Sequence, residues 1–197
     1  MIGVTAFALA MVVLGGGYAS AQTLKEQDAA AKAQYQAAQK SYQNAVGAYT
    51  SARQGFLSAK NKYQQSKNAQ DKTVLEQKAK EFLSNAVAAV TKRLEALRNK
   101  IEHMPNISEA DRAALIAEID NELNWLKDRQ TKISAATPAQ LKEEAKMVRE
   151  YWKNIRVVVK RVTGEAMAAR INAVIVKADG FSVRVSAKIA ELKVAGK

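Results

Sequence analysis

Cysteine is absent from the 197 residues, histidine occurs once, proline twice and glycine nine times. Without cysteine there is no disulfide framework, no thiol nucleophile, no cysteine-ligated zinc and no bacterial lipoprotein anchor, which is attached through a cysteine. The single histidine, His103, leaves no H-x-x-x-H pair, and any Ser-His-Asp triad would have to use it. It stands beside Met104 and Pro105 at a helix end, where a cation complements the C-terminal dipole. Neither a G-x-S-x-G elbow nor a glycine loop of phosphate-binding spacing occurs. The acidic trio Glu118, Asp120 and Glu122 is not a metal site either, because residues two apart point to different sides of a helix. No residue is nominated as catalytic, cofactor-binding or metal-ligating, and the chain reads as non-enzymatic.

The scarcity of helix breakers, with Ala, Lys, Gln, Glu and Leu making up much of the rest, is the composition of long helices. The first segment differs. MIGVTAFALAMVVLGGGYASAQ holds a short apolar core, glycines and then Ala19-Ser20-Ala21. A spanning helix needs roughly 20 apolar residues, whereas a shorter run ending in an A-x-A pattern is what signal peptidase reads. Residues 1–21 are therefore expected to be a signal peptide, cleaved after Ala21, with export to the periplasm, cell surface or exterior. The alternative is an uncleaved N-terminal membrane anchor.

From 35 to 63 a ring recurs every seventh residue, at Tyr35, Tyr42, Tyr49, Phe56 and Tyr63, each followed three positions later by Ala38, Ala45, Ala52, Ala59 or Ser66. A strict seven-residue repeat keeps one seam on one side of a helix and specifies pairing with a partner helix. If Tyr49 is fully buried, its truncation to alanine should cost about 3 kcal/mol. Thr73 and Glu76 have capping-box spacing, and a second seam runs Leu83, Val87, Val90, Leu94, Leu97, Ile101 and Met104. Ser108 reads as an N-cap with Glu109 and Asp111 in the first turn, opening a third seam at Ile116, Ile119, Leu123, Leu126 and Ile133. Thr137-Pro138-Ala139-Gln140 combines an N-cap, proline at the first helical position and a capping-box glutamine. The fourth seam follows from Leu141 through Trp152 to Val176, with Asp179-Gly180 as a candidate kink.

The expected fold is all-α: an elongated antiparallel bundle or coiled coil of about four long helices, near 23–67, 72–104, 109–134 and 138–195, in one domain over 22–197. Short links force neighbouring helices to run antiparallel. A second apolar row on helix four, through Ile171, Ile175, Ala178, Val185, Ile189 and Leu192, outruns any cover helix three can give. An uncovered row of that length is an association site, with Val185, Ile189 and Leu192 at its centre.

The formal net charge is +12, with the cationic excess on helices one and four. It suits anionic envelope polymers or lipid surfaces; no zinc finger, basic zipper or ribonucleoprotein motif points to nucleic acid. Asn106-Ile107-Ser108 matches the N-glycosylation acceptor pattern. In general character the chain is similar to trimeric periplasmic holdase chaperones, although those carry a small β body that no segment here could build. The expected role is a structural or interaction protein, a rod that spaces, scaffolds or oligomerises with itself or another helical protein. The alternative is a basic binding module for anionic polymers, membranes or unfolded clients.

Overall fold

The computed structural model describes residues 17–194, with side-chain surroundings for 29–193. These residues form four α-helices: α1 (Gly17–Ser66), α2 (Ala69–Glu102), α3 (Glu109–Ala135) and α4 (Pro138–Val194). The expected all-α bundle of four helices is what forms. The chain divides into two compact units, Met1–Ala33 and Gln34–Lys197. The described part of the first is helix alone. Most of the expected signal peptide lies outside the described residues, while Ala19-Ser20-Ala21 falls within α1, which begins before the expected residue 23.

Local chemistry sets the turns. Lys67 adopts a positive φ of 54° that ends α1, and Asn68, in extended conformation, accepts from the Asp71 amide at 2.7 Å. The start of α2 is thus capped by Asn68 and not by the expected Thr73, whose hydroxyl instead bonds back to the Ala69 carbonyl inside the helix at 3.1 Å. The buried Asp71 also meets Lys62 at 2.9 Å. The Ser66 hydroxyl and the Lys62 ammonium hold its carboxyl below the usual carboxylate range. His103 caps the end of α2, with Nδ1 at 3.0 Å from the Asn99 carbonyl. Ser108 caps α3, accepting from the Asp111 amide at 3.1 Å. The Thr137–Gln140 box forms reciprocally: the Thr137 amide donates to Gln140 Oε1 at 2.9 Å, and the Gln140 amide to Thr137 Oγ1 at 3.4 Å.

Contacts fix the directions. Lys62 with Asp71 and Phe56 with Phe82 set α1 antiparallel to α2. Arg98 with Asp120 sets α2 antiparallel to α3, and Arg129 with Glu144 and Tyr151 with Glu122 set α3 antiparallel to α4. Leu94, Ile101, Ile119, Ile133 and Val162 are fully enclosed, each contributing about 1.5–3 kcal/mol by burial. In α2 the expected seam is buried apart from the half-buried Leu97, joined by Ala86, Ala89 and Ala96. In α3, Leu115 is buried in place of the expected Ile116, and Leu123 is half-buried. Ile119, Leu126 and Ile133 stay buried as expected, and the buried face of α3 takes in Leu115 and Arg129 besides, because it meets α2 and α4 at once.

The fourth helix has 57 residues, about 85 Å at 1.5 Å per residue, and runs unbroken through Asp179-Gly180, where a kink was a candidate. Leu141, Val148, Ile155, Val162 and Ala166 are buried. From Arg170 to Lys193 every side chain is exposed except Ala173.

Candidate docking surfaces

The ring ladder of α1 is where the sequence repeat becomes packing. Ala52 and Ala59 are buried, while Tyr35, Tyr42, Tyr49, Phe56 and Tyr63 are all half-buried. The small residues set the close approach and the rings lie on either side of it, so Tyr49 is not the fully buried knob that the repeat alone suggests. On α2, Phe82 receives two of the five rings: it stacks on Phe56 at 5.4 Å and meets Tyr49 at 5.5 Å. Gly55 lies over Lys78, whose Cδ would stand 3.6 Å from an added Cβ.

The rings do not close the space between α1 and α4. Tyr42 and Tyr49 border a cleft of about 210 Å³ with Trp152, Arg156 and Val159. Phe56 and Tyr63 border a wider, open one of about 810 Å³ with Phe82, Leu141 and Arg149. Trp152, expected in the core by its seam position, is 39 % exposed for this reason. Trp125, by contrast, lies flat on Tyr151 at 3.6 Å between centroids and beneath the Arg129 guanidinium. Burial, and then the hydrogen bond to Glu122, push the Tyr151 phenol well above its ordinary value.

The second surface is the end of α4. Val185, Ile189 and Leu192, expected at the centre of an association site, stand exposed together with Ile171, Ile175 and Phe181, the last at 63 %. Neither α2 nor α3 reaches them: both helices end near the 103–108 link, whose Asn106 accepts from Lys177.

A row that sequence reasoning missed runs along the first part of the same helix. Lys142, Lys146, Arg149, Lys153, Arg156 and Lys160 are spaced four and three apart, all exposed, and none is ion-paired among the described residues. Glu143 and Glu150 flank the row on one side. The four-three spacing of cations was the available signal. With 3.6 residues per turn, this row and the apolar ridge through Ile171, Val185 and Ile189 lie on one side of α4. That side is basic in its first half and apolar in its second.

Of the acidic trio, Glu118 pairs with Arg161 and Glu122 accepts from Tyr151, both on α4, while Asp120 pairs with Arg98 on α2. Among the described residues no three His, Asp or Glu side chains come together closely enough to hold a metal ion. No helix among them is long and apolar enough to cross a membrane. Asn106 of the glycosylation pattern is exposed in its link, with φ 58°. Comparisons with protein-family models, with curated proteins and with solved structures give no match.

Proposed function

We propose that the protein is a non-enzymatic structural and interaction protein, exported to the cell envelope or exterior, in which a helical scaffold presents the end of α4 as a docking surface. The observation that carries this reading is the apolar ridge Ile171, Ile175, Phe181, Val185, Ile189 and Leu192, exposed on a helix that continues past its last buried residue, Ala166. An exposed apolar patch of this extent marks a site of association. Export rests on the sequence of the first 21 residues.

The test is the full chain carrying Val185→Glu, Ile189→Glu and Leu192→Glu together. On this reading the three are surface positions, so stability should stay within about 0.5 kcal/mol of the parent, while binding of a hydrophobic fluorescent dye falls. Cooperative melting displaced by several degrees, with dye binding unchanged, would place the ridge inside the core and end the reading.

A further inference from the structure

We infer that the partner of the α4 ridge is an anionic lipid surface, on which α4 lies lengthwise with its exposed side down. This assignment rests on the docking reading above and adds the chemistry of the partner.

Charge argues first. Past Ala166 the helix carries Arg170, Lys177, Arg184, Lys188 and Lys193 against Asp179 and Glu191; Lys188 and Glu191 pair at 2.8 Å, which leaves four cations against Asp179. Arg170, Lys177, Arg184 and Lys188 follow one another along a single edge of the apolar ridge. Long cationic side chains at that edge keep their stems on apolar surroundings and raise their charges to phosphate level. An apolar stripe bordered by lysine and arginine, on a helix unable to span a bilayer, is the pattern of helices that lie in the membrane interface. The basic row Lys142 to Lys160 then extends the same contact along the scaffold, where no apolar insertion is possible but lipid phosphates remain in reach.

A second copy fits less well. Two such ridges would bring together surfaces of equal positive sign on chains each carrying +12, which opposes association. The middle of the ridge is also poor in knobs: between Ile175 and Val185 its four-three positions are Ala178 and Ser182, and Phe181 stands off the seam. A fluid bilayer accommodates that irregular relief, whereas a helix would have to fill it. A soluble polyanion would satisfy the basic row and leave the apolar ridge in water.

The experiment is co-sedimentation of the full chain with phosphatidylcholine vesicles, with and without phosphatidylglycerol, beside light-scattering mass in solution. Binding should be at least about tenfold tighter on the anionic vesicles and should weaken, without vanishing, as salt rises. The Val185→Glu/Ile189→Glu/Leu192→Glu chain should lose about tenfold or more on anionic vesicles. The Lys142→Gln/Lys146→Gln/Lys153→Gln chain should keep its fold and lose most of the anionic preference. Equal affinity for both vesicle types, binding to polyglutamate that is indifferent to the ridge substitutions, or a dimer that ignores vesicles would each overturn the lipid assignment. An unchanged melt of the ridge variant beside any of those results would leave the docking surface standing and reject only its partner.

Discussion

Replacing Glu144 with alanine should destabilise the bundle by about 3 kcal/mol, the lower end of what breaking a buried ion pair costs. Arg129 and Glu144 are among the few charged residues enclosed in the bundle, with side-chain exposures of 10 % and 11 %. The guanidinium donates from Nη1 to Glu144 Oε2 at 3.2 Å and from Nη2 to Asp128 Oδ2 at 2.5 Å, and lies 5.4 Å from the centre of the Trp125 ring. Its Nε has no partner. Removing Glu144 leaves a cation in a place that water reaches poorly, compensated only by the half-exposed Asp128. That residual partner is why the lower end of the range applies. Replacing both members, Arg129→Met with Glu144→Leu, removes the charge and its desolvation together and should come within about 1 kcal/mol of the parent or exceed it. Urea unfolding of Arg129→Met, Glu144→Leu and the double gives the coupling directly. A single variant as stable as the parent would mean that the pair is hydrated and contributes nothing to holding α3 on α4.

The second large effect belongs to Phe82. Its ring is the common neighbour of Tyr49 and Phe56, so truncation to alanine removes two ring pairs of about 0.5–1.5 kcal/mol each along with the buried area. For a half-buried ring the total comes to about 2–3 kcal/mol, below the range for an enclosed phenylalanine. Tyr49→Ala, which forfeits only one of those pairs from a half-buried position, should cost about half as much, less than the 3 kcal/mol that complete burial would imply. Thermal melts followed by far-ultraviolet circular dichroism measure both. Should Tyr49→Ala prove the more damaging of the two, the ladder would be anchored elsewhere than on Phe82.

Much of the bundle is legible in the chain because its signals are periodic or local. Ser108 and the Thr137–Gln140 box mark two helix starts through hydrogen bonds made within four residues. The seams of α2 and the first half of α4 repeat often enough to outweigh the strand propensity of the Val157-Val158-Val159 run. The same periodicity exposes the apolar row of α4 as surplus. What escapes is whatever depends on a partner distant in sequence. Phe82 shares its four-three row on α2 mostly with the small residues Ala79, Ala86, Ala89 and Ala96, which do not read as an apolar seam, so only the approach of α1 shows that it receives two rings. Nothing in the sequence singles out Arg129 and Glu144 until α3 and α4 come together. Trp152 occupies a seam position and is nevertheless open, because the rings of α1 hold that helix off α4 and leave a cleft. At the start of α2 the Thr73–Glu76 spacing misleads, and Asn68 is the cap because Lys67 ends α1 immediately before it.

The central claim is that α4 is one helix with two environments, packed to Ala166 and uncovered beyond. Most of a helix's stability in a protein comes from packing its apolar face, so the uncovered backbone should open far more readily than the packed part. Amide hydrogen exchange on the protein alone, read peptide by peptide, tests this directly. Amides of 141–166 should approach the protection of global unfolding, whereas those of 170–193 should exchange orders of magnitude faster. Uniform protection along the whole of α4 would show that the ridge is already covered in the free protein and would contradict the account.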